Sequence, residues 1–327
     1  MNPPKKCLVT GGAGFIGSHL VELLLARGNL VTVVDDESTG RRQNLARFLD
    51  HPQLRYVAGD VGRWSLIEEV TDDVDEVYHL AAAVGVALIA SRPIESIERN
   101  IYPTELLLKA LRMKAAAGKS IPFFLASTSE VYGKNPKSVW TEDDDLVFGP
   151  TTRARWSYGA SKAIDEFLAL ACWRENRLPV VIGRFFNVVG PRQTGANGMV
   201  LPRFVDAALA NRPLIVHDDG NQVRCFAHVN DVVESVVRLM DCPSAFGRAF
   251  NIGSDEPVSI LELATRVVQV TGSRSKIEFQ SYAEAYDEDF EDIRRRVPDL
   301  SRIRRTISYS PAYDLDAIIR ELVGPSR

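Results

Sequence analysis

Tyr158 and Lys162, four positions apart, are the residues of this sequence best suited to move a proton. They fall in a segment with helical periodicity, residues 157–175, so their side chains share one helix face, one turn apart. A free phenol has a pKa of about 10, and a neighbouring ammonium favours its phenolate form. Such pairs are common on helix surfaces, but here the pair predicts a base that acts on a hydroxyl group.

A strand end rich in hydroxyl groups lies upstream of this pair. Residues 122–126 read as a strand, and Thr128, Ser129 and Glu130 follow it closely. We expect Thr128 to bond the same hydroxyl group as the tyrosine and to orient it. Glu130 is either a functional carboxylate or a solvated turn residue, and the residues alone leave both interpretations open.

The first predicted strand runs into a glycine-rich turn that is typical of dinucleotide binding. The strand covers residues 6–10, and a helix at residues 15–27 follows the turn. Glycine permits a tight turn and the close approach of the backbone to a pyrophosphate, which the helix N-terminus attracts. The predicted cofactor contacts in this turn are Gly11, Gly14, Phe15, Ile16 and Gly17.

Asp35 ends the second predicted strand, near the position of an acid that binds both hydroxyls of a ribose. A carboxylate there would repel a 2′-phosphate, so NAD is favoured over NADP, although Arg41 and Arg42 leave NADP open. The alternative is a glycine turn beside a solvated aspartate. A bound nicotinamide cation would favour the Tyr158 phenolate, and Lys162 would bond the nicotinamide ribose. The other predicted cofactor contacts are Asp60 and Val61 at the adenine, Ala81 and Ala82 along the cofactor, and Asn100.

Short β-branched runs alternate with amphipathic helices through the first half of the chain. This alternation predicts right-handed βαβ crossovers and an α/β fold with a doubly wound parallel sheet of the Rossmann type, whose ligand lies at the strand carboxyl ends. The remaining predicted strands are residues 30–35, 54–58, 76–80 and 179–184, and a further helix is predicted at residues 94–114.

The second half of the chain is less regular. A helix at residues 260–271 precedes a charged stretch, residues 281–298, which we expect to be irregular. We assign residues 1–186 and 226–254 to an NAD-binding domain. The smaller, discontinuous substrate domain takes residues 187–225 and 255–327.

Composition excludes several classes of function. The 327 residues are 45% hydrophobic and 25% charged with a net charge of −4, which gives no case for binding nucleic acid or a membrane surface. No stretch approaches the roughly 18 apolar residues of a membrane span. Four dispersed cysteines and five unclustered histidines argue against a disulfide framework and a metal site. We therefore expect a metal-free cytoplasmic protein.

Taken together, these motifs resemble those of the extended short-chain dehydrogenases that act on nucleotide-sugars, across nearly the whole chain. The resemblance implies NAD as cofactor, oxidation of the sugar C4 hydroxyl, and a homodimer packed through the helices near residues 94–114 and 157–175. Because Tyr158, Lys162 and Thr128 are all present, a catalytically silent NAD-sensing or scaffold protein is disfavoured. The landmarks are residues 11–17, 127–133, 158–162, 184–192, 220–226 and 251–253.

Within this family, the Thr-Ser-Glu-Val-Tyr-Gly sequence at residues 128–133 is most similar to UDP-glucuronate decarboxylases (UDP-xylose synthases). Dehydratases of dTDP-glucose typically carry Asp-Glu where this chain has Ser129-Glu130, GDP-mannose dehydratases share Ser-Glu, and simple 4-epimerases generally lack the glutamate. The resemblance implies decarboxylation of UDP-glucuronate through a 4-keto intermediate, giving UDP-xylose and/or UDP-4-keto-pentose. A UDP-sugar 4-epimerase acting on UDP-glucose or UDP-glucuronate is the main alternative, and a nucleotide-sugar 4,6-dehydratase is the third.

The resemblance also assigns roles to the charged residues. Glu130 would position the sugar ring and mediate protonation of the enolate carbon, and Arg296 lies at the position of a functional arginine. Arg296 is alternatively a surface cation paired with the acidic run at residues 287–292. The predicted catalytic residues are Tyr158, Lys162, Thr128, Glu130, Ser129 and Arg296. The predicted substrate contacts are Asn187 and three arginines for the diphosphate, Arg192, Arg224 and Arg296.

Overall fold

Seven strands lie parallel in one sheet in the computed structural model, which describes residues 3–83, 92–195, 199–282 and 292–324. The strands in chain order are β1 Lys6–Thr10, β2 Leu30–Asp35, β3 Leu54–Ala58, β4 Glu76–His79, β5 Phe123–Thr128, β6 Val180–Phe185, β7 Val188–Val189, β8 Leu214–His217, β9 Val223–Cys225, β10 Ala227–His228, β11 Arg248–Ile252, β12 Pro257–Ser259 and β13 Ile277–Gln280. The main sheet has the order β11-β6-β5-β4-β1-β2-β3. Its order reverses between β1 and β4, where a doubly wound sheet opens a crevice for its ligand.

Helices cover both faces of this sheet. They are α1 Phe15–Ala26, α2 Trp64–Thr71, α3 Pro93–Ala116, α4 Ser157–Asn176, α5 Val200–Leu209, α6 Val229–Met240, α7 Ile260–Thr271, α8 Ser301–Ile307 and α9 Leu315–Val323. One face packs against α1, α6 and α8, and the other packs against α2, α3 and α4. The inner strands, such as β1, β4, β5 and β6, are buried on both faces, which explains their nearly continuous apolar sequences. Within the described ranges, none of the helices is long and apolar enough to cross a membrane.

A second, smaller core lies beside the main sheet. It is built by α5, α7 and α9 around β8, with Val216, Leu263 and Ile318 fully buried. Ser259 caps α7 by accepting a hydrogen bond from the Glu262 amide at 3.0 Å. The residues from 300 to 309, by contrast, pack into the core of the main sheet. The division into two domains stays a prediction.

The predicted α/β fold with a doubly wound parallel sheet is confirmed. The first three strands and α7 begin and end where the sequence predicted them. The segment from 231 to 251 returns to the sheet as predicted, because α6 leads into β11, which pairs with β6. Helices α2 and α5 were missed. The charged stretch at residues 281–298 falls partly outside the described residues, and its portion from 292 forms only isolated bridges, at Arg295 and Pro298.

Candidate active site

A cavity of about 720 Å³ opens at the carboxyl edge of the main sheet. This volume is within the range of sites for cofactors and their substrates. Of the predicted site residues, all but Lys162 and Asn100 lie on its wall, judged on the part of the chain that the structure describes. Those on the wall are Gly11, Gly14, Phe15, Ile16, Gly17, Asp35, Asp60, Val61, Ala81, Ala82, Thr128, Ser129, Glu130, Tyr158, Asn187, Arg192, Arg224 and Arg296.

The glycine turn after β1 requires its glycines for steric reasons. Gly11 has a φ of +70°, and a Cβ there would lie 2.7 Å from the Ala81 amide nitrogen. At Gly17 a Cβ would lie 2.1 Å from the Gly11 carbonyl oxygen. The turn therefore brings β1, α1 and the end of β4 close together, and it leaves the N-terminus of α1 facing the cavity.

Asp35 lies at the end of β2 with its carboxylate against the glycine turn. Oδ2 accepts a hydrogen bond from the Ala13 amide at 2.9 Å, and Oδ1 accepts one from the Glu37 amide at 2.8 Å. Burial raises the pKa of Asp35, and these two amides oppose the rise. Arg41 also lines the cavity, whereas Arg42 lies over the Tyr56 ring at 5.1 Å. An acid fixed at this point fits the ribose of a dinucleotide without a 2′-phosphate.

Asn100 supports the cofactor wall from behind. Its Oδ1 accepts a hydrogen bond from the Ala83 amide at 2.8 Å, and its Nδ2 donates to the Ser161 hydroxyl at 3.3 Å. The side chain thus ties the segment after β4, with Ala81 and Ala82, to the helix that carries Lys162. It is buried and holds the wall in place.

Tyr158 and Thr128 meet because α4 packs very closely on the turn that follows β5. A Cβ at Gly159 would lie 2.5 Å from the Glu130 carbonyl oxygen, so only glycine allows this approach. The Thr128 hydroxyl caps the short helix Ser129–Tyr132 by accepting from the Glu130 amide at 3.2 Å. Thr128 and Tyr158 line the same cavity, and Thr128 lies near enough to the phenol to lower its pKa. Their joint action on a substrate hydroxyl group stays a prediction.

The ionisation of Tyr158 differs from the sequence-based expectation. Burial raises the pKa of the phenol above its ordinary value, the charge of Glu130 raises it further, and the bond with Thr128 opposes both. Lys162 was expected to lower this pKa, but its Nζ lies 2.8 Å from Asp165 Oδ2 in a buried ion pair. For the groups of the protein alone, the pKa of the phenol is raised and not lowered, chiefly because the phenol is buried.

Glu130 is held between two arginines. Its Oε2 lies 2.7 Å from Arg155 Nη1, and its Oε1 lies 2.6 Å from Arg296 Nη1. Burial by itself would raise the pKa of Glu130, but the charges of Arg296 and Arg155 lower it to about 2. Glu130 is therefore a largely buried, paired carboxylate on the cavity wall and not a solvated turn residue. Arg296 pairs with it; of the acidic run that was the alternative partner, residues 287–291 lie outside the described residues.

The sequence analysis did not identify Arg155 as a site residue. A local signal for it exists, because it lies three residues before Tyr158, in the short helical turn Ala154–Trp156 that precedes α4. Trp156 is buried in an aromatic core with Tyr132, Trp140 and Phe186. Ser129 is buried at the cavity edge.

A second ion pair lies beside this cluster. Arg224 Nη2 donates to both oxygens of Asp292 at 3.0 Å, and the Tyr282 hydroxyl donates to Asp292 at 2.8 Å. Burial and the nearby charge of Arg296 lower the pKa of Arg224 to about 10. Asp292 is a further residue that the sequence did not single out as functional.

The three arginines predicted to clamp a diphosphate are already paired with separate protein groups. Arg192 bonds Glu22, and its Nη1 donates to the Ser18 hydroxyl at 3.2 Å, so it is tied to α1 on the cofactor side. Arg224 pairs with Asp292, and Arg296 pairs with Glu130, away from the glycine turn. Asn187 donates to the Cys225 carbonyl at 2.8 Å. Their contact with a diphosphate stays a prediction.

The fold and the site define a class of protein, the Rossmann enzymes of the short-chain dehydrogenase type. They share a glycine turn and an acid suited to a dinucleotide, with a tyrosine and a threonine at the same strand edge. The family model of GDP-mannose 4,6 dehydratase matches residues 8–322, and the chain belongs to that family.

Relatives with assigned activities are similar over most of the chain. UDP-N-acetyl-alpha-D-glucosaminuronate decarboxylase of Bacillus cytotoxicus is 38% identical over 320 residues, which are 98% of this chain and 97% of that protein. UDP-glucuronic acid decarboxylase 4 of Arabidopsis thaliana is 34% identical over 94% of this chain, which spans 65% of the plant protein. The crystal structure of UDP-glucuronic acid 4-epimerase from Bacillus cereus, in complex with UDP-glucuronic acid and NAD, has a TM-score of 0.83 and 28% identity over 96% of both chains.

Proposed function

We propose that this protein binds NAD and decarboxylates UDP-glucuronate through a 4-keto intermediate, giving UDP-xylose, UDP-4-keto-pentose or both. The observation that carries the proposal is the Glu130 carboxylate held by Arg155 and Arg296, on the same cavity wall as Tyr158 and Thr128. A charged cluster beside the hydroxyl pair suits a sugar that carries a carboxylate. The similarity to decarboxylases of UDP-sugar acids supports the same substrate class.

The residues on the side of the cavity that holds the glycine turn and Asp35 fit NAD. A Cβ at Gly11 or Gly17 would clash with neighbouring backbone, so these glycines keep the turn tight beside the N-terminus of α1. The Asp35 carboxylate, held by two backbone amides, would accept hydrogen bonds from a ribose. When bound, NAD⁺ accepts a hydride from the sugar C4. Tyr158 takes the proton of the C4 hydroxyl, and Thr128 orients that hydroxyl through a shared hydrogen bond.

The loss of CO₂ requires little further chemistry from the protein. Oxidation at C4 makes the C6 carboxylate part of a β-keto acid. The C5–C6 bond then breaks, CO₂ leaves, and the remaining enolate, with its negative charge on the C4 oxygen, takes a proton at C5 from water. The hydroxyl groups of Tyr158 and Thr128 are placed to donate to the C4 oxygen. With a pKa of about 2, Glu130 stays ionised at neutral pH and is a poor proton donor. Its role in this proposal is to orient Arg155 and Arg296 toward the substrate.

The charged cluster is suited to an anionic sugar. Among the described residues, Arg155, Arg224 and Arg296 lie beside Glu130 and Asp292. A sugar carboxylate would pair with an arginine of this cluster, in addition to the contacts predicted for the diphosphate. A UDP-sugar 4-epimerase remains the main alternative, since the similar B. cereus structure is that of an epimerase. The B. cytotoxicus relative makes the 2-acetamido uronate a second candidate substrate.

Product analysis with a panel of substrates tests the proposal. The protein would be incubated with NAD⁺ and, separately, with UDP-glucuronate, UDP-N-acetylglucosaminuronate, UDP-glucose and GDP-mannose, and the products would be identified by mass spectrometry. A UDP-pentose, or its acetamido counterpart, from one of the two uronates is expected. UDP-galacturonate as the product would support the epimerase and contradict the proposal.

We also propose that the protein is a homodimer that packs through α3 and α4. Large apolar side chains lie exposed on these helices, with Ile94 72% and Phe167 68% exposed, together with Ile164 and Tyr102. Exposed groups of this kind mark an interface. Light scattering should give twice the monomer mass for the wild type and the monomer mass for Phe167→Glu, whereas a monomeric wild type would contradict the proposal.

A further inference from the structure

Asp165, which forms a buried ion pair with Lys162, has no assigned role in the reaction. The side chains of Lys162 and Asp165 are 2% and 0% exposed, and the ammonium lies 2.8 Å from Asp165 Oδ2. The two residues are three apart on α4 and lie behind the cavity wall that carries Tyr158. A buried ion pair often contributes little to stability compared with apolar residues, so its presence beside a catalytic group suggests another purpose.

Among the described residues, the titratable groups near the pair, besides Tyr158, are His79, Glu166 and Glu130, and none of them is the partner of Lys162. His79 of β4 is neutral, because burial and the Lys162 charge lower its pKa to about 3. Glu166, the next residue on α4, is bonded to Arg184 at 2.7 Å. Glu130, at the end of β5, is paired with its two arginines. Asp165 is therefore the carboxylate that pairs with the Lys162 ammonium. The Thr104 hydroxyl of α3 also lies near Asp165 and lowers its pKa.

Asp165 also acts on Tyr158 through space. Burial is the largest cause of the raised pKa of the phenol, and the negative charges of Glu130 and Asp165 both add to it. Because Glu130 stays ionised down to about pH 2, its influence is constant over the pH range of any assay. A change in the charge of Asp165 should consequently change the pKa of Tyr158, while the contribution of Glu130 to that pKa stays the same.

We propose that Asp165 is a positioning residue for the catalytic group: it holds the Lys162 ammonium in the wall behind Tyr158 and offsets its charge. The inference rests on the proposed roles of Tyr158 and Lys162. It predicts that Asp165 adjusts the pH at which Tyr158 becomes a base, in addition to supporting the fold. If Asp165 were purely structural, its substitution would change the stability of the protein but not the pH at which Tyr158 becomes a base.

Asp165→Asn separates these two roles. The amide still offers an oxygen to the Lys162 ammonium but carries no charge, so the Tyr158 phenolate is easier to form. The acidic limb of the profile of kcat/KM against pH should move to lower pH by roughly half a unit or more, as expected for a charge removed about two helical turns away. Asp165→Ser, which is smaller and also uncharged, should move it in the same direction if asparagine prevents folding.

Two matched variants define the control. Asp165→Glu keeps the charge and should return the acidic limb to the wild-type position. Glu166→Gln neutralises the adjacent buried acid, which faces Arg184 and the Ser127 hydroxyl. It should lower the melting temperature and leave the acidic limb in place. The inference is overturned if Asp165→Asn loses activity with an unmoved limb, or if Glu166→Gln moves the limb as far as Asp165→Asn does.

A binding measurement makes the test independent of the sugar. Formation of the phenolate should strengthen the binding of the nicotinamide cation, so calorimetric titration with NAD⁺ at several pH values reports the same ionisation. The pH at which affinity rises should be lower in Asp165→Asn than in the wild type. If UDP-glucuronate is not turned over but this shift is present, the proposed function fails and the role of Asp165 stands. If the shift is missing, the role of Asp165 fails whatever the substrate.

Discussion

The two halves of the cavity are built from different kinds of contact. On the cofactor side, the site is made of backbone and of one acid that the backbone holds, as at Gly11, Gly17 and Asp35. On the substrate side, it is made of charged side chains that pair across the fold, such as Glu130 with Arg296. The first kind supports a cofactor shared by many enzymes, whereas the second allows one sugar to be distinguished from another.

This difference suggests that the halves can be damaged separately. A change on the substrate side should spare NAD binding, because the glycine turn does not depend on the ion pairs. A change on the cofactor side should weaken NAD binding without altering the choice of sugar. Tyr158 and Thr128 line the cavity together with both halves, so changes to them should affect turnover most, and should affect NAD⁺ affinity only at a pH where the Tyr158 phenolate forms.

The largest effect is expected from Tyr158→Phe. Removal of the phenol takes away the base for the C4 hydroxyl, and kcat should fall by about 1000-fold or more. The affinity for NAD⁺, measured by calorimetry at a pH where the wild-type phenol is protonated, should change by less than about threefold. Tyr102→Phe, at an exposed tyrosine of α3, serves as the control and should be fully active. Residual activity within tenfold of the wild type would exclude Tyr158 as the base.

The next effect concerns stability at acidic pH. Glu130 has a pKa of about 2 in the folded protein and an ordinary value near 4.5 when unfolded. Because the folded value is the lower one, this group stabilises the fold fully above about pH 4.5, and the contribution is lost as the pH falls toward 2. At about 1.4 kcal/mol per unit, the loss is roughly 3 kcal/mol.

Urea unfolding between pH 5 and pH 2.5 checks this prediction. Glu130→Gln should be less stable than the wild type at pH 5 and should lose less stability on acidification. Asp73→Asn, which neutralises an exposed partner of Lys6, should follow the wild-type curve. An acid dependence in Glu130→Gln equal to that of the wild type would contradict the buried ion pairs.

Arg296→Met should lower kcat/KM for UDP-glucuronate by roughly 100-fold, because it leaves Glu130 with one partner and removes a cation from the substrate side. NAD⁺ affinity should be unchanged. Arg294→Met is the matched control, since Arg294 is two residues away and pairs with Asp219 at the exposed surface. A loss of similar size in both variants would show that the effect is general destabilisation.

The smallest effect is expected from Asp35→Asn on the cofactor side. The amide cannot accept two hydrogen bonds from ribose as a carboxylate does, and NAD⁺ affinity should fall by roughly tenfold. Glu37→Gln, whose carboxylate bonds the exposed Tyr56 hydroxyl, should bind NAD⁺ as the wild type does. A change in the preferred sugar in Asp35→Asn would contradict the independence of the two halves.

The difference between the cofactor side and the substrate side also explains which parts of the site could be predicted from the sequence. The glycine turn and Asp35 follow from short-range rules, because each is fixed by neighbours along the chain or at a strand end. The pairing of Glu130 with Arg155 and Arg296 joins distant segments, and only the fold brings them together. The sequence does not show which distant segments meet, so Arg192 was grouped with Arg224. The structure ties Arg192 to Glu22 of α1 instead.

Lys162 is an intermediate case. Its partner Asp165 lies three residues away on the same helix, so the pair could have been expected from spacing alone. The sequence gives no indication of the burial of this pair, and burial is the main cause of the raised pKa of Tyr158. The position of the candidate catalytic group was therefore predictable, whereas its surroundings were not.

Release of labelled CO₂ is the most direct test of the central claim. UDP-glucuronate carrying ¹³C at C6 would be incubated with the protein and NAD⁺, and ¹³CO₂ would be followed together with the remaining nucleotide-sugar. The account predicts one ¹³CO₂ for each UDP-glucuronate consumed, with no ¹³CO₂ from Tyr158→Phe. Consumption of the substrate with the label retained in a UDP-hexuronate would contradict it.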